Sequence, residues 1–461
     1  MFRIVHRAMR WAALAALALP ALANAGPDHA QFIKGPIKTG PEATQQCLAC
    51  HEQQAKDFMH TVHWTWQAQQ KDGSKTVELG KKTAINNYCI SLPANEPRCT
   101  SCHAGYGWKD KNFDFKKAEN VDCLVCHDTT GSYKKTPTGA GMPDPKVDLT
   151  KVAQSVGPTS RATCGACHFF GGGGDHVKHG DLDSSLTKPT RAQDVHMAVD
   201  GANMSCSSCH KAVKHEIPGK ALSVSVSGST STLDCSTCHA GTPHKKNPLL
   251  DKHAERVACQ TCHIPSFART LPTKTWWDWS TAGQEREASK DKYGEKTFDK
   301  MKGTFEWAKD VKPTYYWFNG SVDRHLLGDR VVPGEVVHLN APRGSIADKS
   351  AKITPFKLMR GKQPFDAGQN VLGTPHLFGG YWKHYDWNQA MTDGMKAAGL
   401  PAYSGKLGFI ETDMVWKVNH MVVPKQQALS CNECHGAQGR MDWKALGYAG
   451  DPRTLARTKR K

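Results

Sequence analysis

Apolar residues form one long uninterrupted run, and that run lies at the N-terminus. Arg3, Arg7 and Arg10 precede the run, which spans residues 11–22 and ends in small residues. This order is typical of a cleavable secretory signal, and the run is shorter than the roughly 20 apolar residues that a membrane span needs. No later segment is long or apolar enough to replace it. The pattern predicts a signal peptide over residues 1–25 and a mature chain that is exported to the periplasm without a membrane span.

Beyond the signal the apolar residues come in short segments separated by polar loops. Residues 314–320 and 353–358 have the aromatic and β-branched composition of short strands or extended loops ended by turn residues. Apolar positions from Phe409 to Val423 predict a helix that Pro424 stops.

The chain has 17 cysteines, a number that in an exported protein ordinarily indicates disulfide bonds. Their spacing contradicts that interpretation, because sixteen of them form Cys-x-x-Cys pairs and each pair is followed at once by a histidine. In chain order the eight motifs are Cys47/Cys50/His51, Cys99/Cys102/His103, Cys123/Cys126/His127, Cys164/Cys167/His168, Cys206/Cys209/His210, Cys235/Cys238/His239, Cys259/Cys262/His263 and Cys431/Cys434/His435.

Each motif has the chemistry of covalent haem attachment. Two thiols three residues apart reach both vinyl groups of one porphyrin edge, and the adjoining imidazole then reaches the iron. Zinc ribbons do not require a histidine after each cysteine pair, and a redox dithiol would not recur eight times. The sequence therefore predicts eight covalently bound haem c groups, with the motif histidines as iron ligands.

Seven motifs crowd between Cys47 and His263, and the eighth begins 172 residues after the start of the seventh. The crowded part has too few residues per haem for a conventional core, so the packed porphyrins are expected to form the core. We predict a mainly α multihaem cytochrome fold with much irregular loop, few short strands and a short helix at each motif. Residues 26–263 are expected to hold haems 1 to 7. Residues 264–461, rich in tryptophan, are expected to wrap this core and carry haem 8 without forming an independent domain.

The formal net charge is +17, and it becomes +14 once the three arginines of the signal peptide are removed. Each haem carries two propionates, so eight haems bring roughly sixteen negative groups that nearby lysines and arginines can offset. The charge therefore does not require a nucleic-acid partner, and we expect none. A preference for small anionic substrates stays open.

A haem with two axial histidines transfers electrons, whereas one with an unusual or missing ligand can bind substrate. Fourteen histidines remain outside the motifs and the signal, and seven distal ligands suffice if one haem is catalytic. We predict these seven from their position near a motif or on a predicted helix, with His60 as an alternative to the first of them. The predicted distal ligands are His63, His179, His196, His215, His244, His253 and His420.

Two features do not fit a protein that only transfers electrons. Cys89 is the one cysteine outside the motifs, and it is either an inert buried thiol or a reactive one. Residues 169–179, after the fourth motif, contain four successive glycines that let the backbone approach a flat ring closely. From composition alone, His179 is the preferred iron ligand in this segment and Lys178 is a surface charge.

These two segments resemble those of the octahaem tetrathionate reductase family, which is related to hydroxylamine oxidoreductase and cytochrome c nitrite reductase. The resemblance rests on Asn-Asn-Tyr-Cys at residues 86–89 and on Asp-His-Val-Lys at residues 175–178. The order of the eight motifs, the tryptophan-rich insert and Val-Asn-His at residues 418–420 are similar too. The resemblance spans essentially the whole mature chain.

The resemblance implies that the second haem is catalytic and that Lys178 is its iron ligand, with Cys89, Asp175 and Asn86 on the substrate side. Burial disfavours the ammonium form of lysine, so a neutral amine ligand is chemically reasonable. The implied activity is reduction of tetrathionate to thiosulfate, and also of nitrite or hydroxylamine, with electrons from a quinol-linked cytochrome. For the nitrogen substrates, Asp175 or His176 would relay protons. Whether the second motif histidine stays on the iron is left open.

Two other functions remain open from the sequence. A non-catalytic electron-transfer protein would have two histidines on every haem and would not need Cys89 or Lys178. An enzyme that oxidises hydroxylamine or hydrazine would resemble the octahaem hydroxylamine oxidoreductases, which use a tyrosine cross-linked to the catalytic haem. The sequence marks no tyrosine for that role, and Tyr403 is left open.

The substitution Cys89→Ser tests the sulfur role of this thiol. If the thiolate bonds transiently to substrate sulfur, the variant loses tetrathionate turnover and keeps nitrite reduction, because a hydroxyl is a much weaker nucleophile than a thiolate. Both rates are measured on the same holoprotein with the same reduced electron donor. Tetrathionate turnover equal to that of wild type would show that the thiol takes no part.

Overall fold

The structure is a computed structural model that describes residues 28–72, 75–88, 90–219 and 233–458. The predicted signal peptide and Cys89 lie outside the described residues. Within the described ranges, no helix has the length and apolar character needed to cross a membrane.

Most helices are short, and most of the cysteine motifs lie on one. Residues three apart lie on the same face of a helix, so a single turn presents both cysteines of a motif to one side. In the second and sixth motifs, single 3-10 turns present the cysteines instead; they span Thr100–Cys102 and Cys235–Thr237. The helices are α1 Gly40–Met59, α2 Val62–Thr65, α3 Glu96–Cys99, α4 Leu124–His127, α5 Leu149–Gln154, α6 Arg161–His168, α7 Cys206–Cys209, α8 Pro248–Ala254, α9 Cys259–His263, α10 Trp382–His384, α11 Trp387–Ala397, α12 Cys431–Cys434 and α13 Pro452–Thr458.

The strands lie mainly in the tryptophan-rich region between the seventh and eighth motifs. Outside it, the described residues form one hairpin, which precedes the second motif. The strands are β1 Gln67–Asp72, β2 Lys75–Gly80, β3 Thr273–Asp278, β4 Phe298–Asp299, β5 Gly303–Ala308, β6 Thr314–Phe318, β7 Val322–Arg324, β8 Val337–His338, β9 Asn340–Pro342, β10 Lys352–Asp366, β11 Val371–Leu372 and β12 Leu407–Lys417.

Strand β10 organises the main sheet of eight strands. The sheet runs in the order β4-β5-β3-β10-β12-β8, and β6 and β11 also pair with β10. β10 is antiparallel to β12 from the pair Phe356/Lys417 to the pair Asp366/Leu407, and it is parallel to β3. This long strand thereby joins segments that are far apart in the chain.

The predicted fold class is confirmed, and the strands predicted at residues 314–320 and 353–358 are confirmed as β6 and the first part of β10. The sheet itself is larger than the few short strands we expected.

The helix predicted over residues 409–423 is wrong, because residues 407–417 form β12. Along β12 the side chains of Ile410, Thr412 and Met414 are buried, whereas Glu411 between them is exposed. This period of two, with β-branched and aromatic residues, is that of a strand. Every residue of β12 pairs with β10, and this pairing keeps β12 extended.

The sheet packs against the segment that precedes the second motif. Ile85, Tyr88 and Val177 share one buried apolar cluster with residues of the sheet, among them Trp277. The Asn87 side chain donates a 2.7 Å hydrogen bond to a β10 carbonyl oxygen. The tryptophan-rich region thus braces the surroundings of the second motif, while its lack of independent folding stays a prediction.

Asn340 acts as a substitute strand partner for β12. Its side-chain amide donates to the carbonyl oxygen of Val415 at 3.0 Å and accepts from the N–H of Val415 at 2.7 Å. Both contacts are buried, so their loss leaves backbone groups without a partner.

We predict that Asn340→Ala lowers the free energy of unfolding by about 1–3 kcal/mol, the cost of leaving buried polar groups unsatisfied. Chemical denaturation followed by circular dichroism measures the change. Asn112→Ala, at an exposed position, is the matched control and leaves the midpoint unchanged. Equal midpoints for the two variants would contradict this role of Asn340.

Candidate functional site

One cavity of about 3450 Å³ runs through the described part of the molecule. Pockets for a single drug-sized ligand measure about 300–1,000 Å³, so this cavity has room for several large groups. All sixteen motif cysteines line it. The motif helices therefore turn their attachment thiols toward one shared space.

Six motif histidines face a second histidine across this cavity, with ring centroids 6.0–6.5 Å apart. A metal–imidazole bond is about 2 Å long and the ring centroid lies about 1 Å beyond the nitrogen, so two imidazoles on opposite sides of one iron have centroids about 6 Å apart. The pairs therefore fit the two axial positions of a haem iron. They are His51/His29, His127/His215, His168/His63, His239/His196, His263/His244 and His435/His253.

Hydrogen bonds at Nδ1 orient several of these rings. The Nδ1 atom of His127 lies 2.8 Å from the carbonyl oxygen of Gly157, and that of His435 lies 2.7 Å from the Asp451 carboxylate. An imidazole held through Nδ1–H presents its Nε2 lone pair to a metal. These contacts favour coordination through Nε2 in the cavity.

The fifth motif has a candidate partner in His420. His210 and His420 both line the cavity and interact electrostatically. Nδ1 of His210 lies 2.8 Å from the carbonyl oxygen of Pro218, and Nδ1 of His420 lies 3.2 Å from the Asp181 carboxylate. Both rings can therefore offer Nε2 in the cavity.

The structure departs from the predicted distal set in two places. His29 faces the first motif histidine, although it is not among the predicted ligands. His179, which is among them, packs its ring 5.1 Å from the ring of Trp416 and has no ring contact with a motif histidine in the described structure. His60 is exposed and does not line the cavity, so His63 keeps its predicted place. The spacing of the motifs does not indicate His29 as a distal ligand, because this residue precedes all of them.

His103 of the second motif is the exception among the motif histidines, since it does not line the cavity. Its Nε2 lies 2.7 Å from the carbonyl oxygen of Trp64, and its ring packs among aromatic side chains that include Trp66 and Trp108. Burial lowers the pKa of His103 to about 3, so the ring is neutral. A carbonyl oxygen only accepts hydrogen bonds, so Nε2 carries the proton and has no lone pair for a metal.

Lys178 occupies the cavity wall near the second motif. Its side chain is half-buried, its Nζ lies 4.7 Å from the centre of the Trp416 ring, and it interacts electrostatically with Cys102. Burial, with a contribution from the nearby Lys81 ammonium, lowers the pKa of Lys178 to about 7. Near neutral pH a substantial share of this amine is uncharged and able to bind a metal.

The glycines before Lys178 make room for it. A Cβ at Gly171 would lie 3.1 Å from Lys178 Cδ, and one at Gly172 would lie 3.2 Å from Lys178 Cβ. Gly172 also has φ +79°, a conformation that favours glycine. The glycines therefore leave room for the lysine side chain, while their predicted close approach to a flat ring stays a prediction.

Two further cations lie at this part of the cavity wall, and the sequence did not single them out. Nζ of Lys81 lies 3.9 Å from the centre of the Trp66 ring and 3.5 Å from the carbonyl oxygen of Cys99. Arg98 lines the cavity next to the same cysteine. The wall near the second motif is therefore positively charged.

Comparisons with known proteins agree with this geometry. Family models match three parts of the chain: cytochrome c554 and c-prime at residues 46–128, cytochrome c7 and related cytochrome c at residues 190–264, and bacterial cytochrome c at residues 274–438. A curated protein of Archaeoglobus fulgidus, described as uncharacterized, is 25% identical over 240 residues, which cover 41% of this chain and 80% of that protein.

A solved structure decides the family. The octahaem cytochrome c of Shewanella oneidensis is 51% identical, with a TM-score of 0.88 over 93% of this chain and 98% of that chain. The chain belongs to the octahaem cytochrome c family. The predicted cofactor, eight covalently bound haem c groups, is thereby confirmed, and the cavity and its histidine pairs fit it.

In this octahaem cytochrome, cysteines of neighbouring motifs lie near one another. Motifs 1 and 3, 2 and 4, 4 and 5, and 6 and 7 are adjacent through Cys47/Cys123, Cys102/Cys167, Cys164/Cys206 and Cys235/Cys259. Motifs 3 and 4, 5 and 6, and 7 and 8 are near each other through Cys126/Cys164, Cys209/Cys238 and Cys262/Cys434. The motifs therefore form the continuous series 1-3-4-5-6-7-8, with motif 2 joined at motif 4.

The remaining predicted site residues divide between the cavity and its outside. Asn86 lines the cavity, and its side-chain oxygen accepts a 3.1 Å hydrogen bond from the N–H of Tyr88. Asp175 does not line it, since its carboxylate accepts hydrogen bonds from the N–H and hydroxyl of Ser184. His176 also lies outside, with its ring 5.3 Å from that of Trp307. The placement of Asp175 and His176 does not support the expected roles at the substrate or in proton relay.

We predict that His29→Ala converts haem 1 of this octahaem cytochrome from a six-coordinate to a five-coordinate centre, because His29 is the imidazole opposite the first motif histidine. Paramagnetic resonance would then show one new high-spin signal with haem content unchanged. His60→Ala is the control and leaves the spectrum as in wild type. A spectrum of His29→Ala without a high-spin signal would contradict the pairing.

Proposed function

We propose that this octahaem cytochrome is a periplasmic reductase that delivers electrons to its second haem, where a small oxyanion of sulfur or nitrogen is reduced. The observation that carries the proposal is the exceptional second motif. The ring of its histidine packs in an aromatic cluster and its Nε2 atom is hydrogen-bonded to a carbonyl oxygen. The Lys178 side chain lies in the cavity wall beside the motif.

Lys178 is proposed as the iron ligand that replaces His103. The pKa of Lys178, lowered to about 7 by burial and Lys81, allows a neutral amine. His103 in its neutral form is satisfied elsewhere and does not compete. A haem with one open axial position can bind and reduce a small molecule, whereas a haem with two histidines only transfers electrons. In this proposal the chain would supply the Lys178 amine as a ligand of the second haem and would hold His103 outside the cavity.

The charges near the second motif favour an anionic substrate. Lys81 and Arg98 line the cavity beside the attachment cysteines, and neither has a carboxylate partner within salt-bridge distance among the described residues. Clustered positive charge in a low-dielectric cleft concentrates anions. The proposed reaction adds two electrons to tetrathionate and cleaves its central sulfur–sulfur bond to give two thiosulfates. Nitrite and hydroxylamine are proposed as further substrates at the same position.

Cys89 is proposed to act on the sulfur substrate. Its neighbours in the chain frame the site: Tyr88 lines the cavity with its ring 5.9 Å from that of Trp416, and Trp416 contacts the Lys178 amine. A thiolate near cations is a good nucleophile toward sulfur–sulfur bonds. Asn86 adds a polar group to the same wall.

The other seven haems are proposed to conduct electrons to the second. Six have facing histidine pairs and the fifth has His210 with His420, as an electron-transfer haem requires. Motif 2 joins the continuous series of motifs at motif 4, where Cys102 lies beside Cys167. A quinol-linked cytochrome is proposed as the electron donor.

The two alternatives have less support. If the protein only transferred electrons, the position of His103 outside the cavity would have no explanation. An oxidoreductase with a cross-linked tyrosine would need that tyrosine at a haem. Tyr403 instead donates a 2.8 Å hydrogen bond to Asn388 and does not line the cavity.

We predict that Lys178→Met removes the ligand-responsive signal of one haem in paramagnetic resonance and lowers reductase activity by more than about 100-fold, the upper end for loss of an outer-shell partner of a metal. Spectra are recorded on oxidised protein alone and with nitrite or tetrathionate. Lys188→Met, an exposed lysine ten residues away, is the control. Eight unresponsive signals of the two-histidine type in wild type would reduce the protein to an electron carrier.

A further inference from the structure

Four successive carbonyl groups converge beneath Lys178. The Nζ atom of Lys357 donates to the carbonyl oxygens of Val177 and Lys178, each at 3.0 Å. The Thr273 hydroxyl lies 2.7 Å from the carbonyl oxygen of His176 and 3.2 Å from that of residue 179. Every carbonyl from residue 176 to residue 179 therefore points at one of two side chains.

Lys357 is unusual as a buried lysine. Its side chain is 1% exposed, and no carboxylate lies within salt-bridge distance of it in the described structure. Burial lowers the pKa of Lys357 to about 7, and burying such an amine is costly unless its donors are satisfied. The third donor of the ammonium goes to Thr273 Oγ1 at 2.6 Å, so all three N–H groups have acceptors. The buried amine of Lys357 is therefore fully hydrogen-bonded to the loop and to Thr273.

The main sheet holds both the backbone and the side chain of Lys178. Lys357 on β10 is directly opposite Trp416 on β12, and Thr273 begins β3, which is parallel to β10. Lys357 binds the backbone of the loop, while the Trp416 ring lies 4.7 Å from the Nζ atom of Lys178. Three adjacent strands therefore meet at one lysine of the cavity wall.

We propose that Lys357, assisted by Thr273, is a positioning residue that fixes the backbone of residues 176–179 so that Lys178 presents its amine to the second haem. The proposal rests on the proposed role of Lys178 as iron ligand and adds the means by which the loop is held. A glycine-rich loop has large conformational freedom, and its amine reaches one point in space only if the backbone is fixed. Groups that orient a metal ligand from outside commonly matter about 10- to 100-fold for metal affinity or activity.

The test compares Lys357→Met and Thr273→Val with Lys178→Met in the holoprotein after haem content has been measured. Lys357→Met is expected to keep eight haems, to alter the paramagnetic resonance signal and shift the reduction potential of the second haem alone, and to lower kcat about 10- to 100-fold with little change in KM. Thr273→Val is expected to act in the same direction more weakly, and Thr273→Ser, which keeps the hydroxyl, to match wild type. If Lys357→Met does not fold, the comparison of Thr273→Val with Thr273→Ser tests the proposal.

Lys362→Met is the matched control, on the same strand and without a side-chain hydrogen bond or ion pair among the described residues. A second-haem signal that changes in Lys178→Met but not in Lys357→Met or Thr273→Val would overturn the positioning role and leave the proposed function standing. A signal unchanged in Lys178→Met would overturn the ligand assignment and the positioning role together. Loss of stability in Lys357→Met with an unaltered signal and potential would mean that the lysine is only structural.

Discussion

Two imidazole rings that face each other at a separation admitting one iron are the contact on which the rest of this structure depends. Each such pair joins segments that lie apart in the chain, for example His63 with His168 and His253 with His435. The apolar clusters around the first motifs are small, so little other packing connects these loops. With haem c bonded to the motif cysteines, each pair becomes a cross-link, and the haem faces supply apolar surface that the short chain segments lack. Covalent attachment, together with the axial ligation that these pairs would supply, therefore accounts for how the loops are held around one cavity.

The second motif departs from this rule, and the tryptophan-rich sheet explains how it does so. Aromatic side chains near residues 64–66 and 108 hold His103 away from the cavity. On the other side, β10 and β12 support the loop that carries Lys178 from beneath. The sheet therefore does more than cover the haems. It supports one loop with buried hydrogen bonds, and that loop carries the lysine that we propose as the ligand of the second haem.

Several parts of the fold could be predicted because they depend on local chemistry. The motif helices follow from the spacing of two cysteines on one turn, and the strands at β6 and β10 follow from their aromatic and β-branched composition. The predicted helix over residues 409–423 is wrong. Its apolar residues belong to a strand, in which buried and exposed positions alternate. The distal histidines are predicted from nearness to a motif or from position on a predicted helix, whereas the structure places His29, outside that set, opposite a motif histidine and places His179, within it, against Trp416.

The sequence by itself determined the number of haems and their mode of attachment, because a Cys-x-x-Cys-His motif is complete within five adjacent residues and needs no distant partner. Tertiary structure alone decided which histidine faces which, the withdrawal of His103, and the place of Lys178 in the cavity wall. These properties depend on contacts between residues far apart in the chain: Lys357 reaches the Lys178 carbonyl across 179 residues, and His103 reaches the Trp64 carbonyl across 39. A side chain's neighbours across such distances are set by the packing of the whole chain, and no local pattern encodes them.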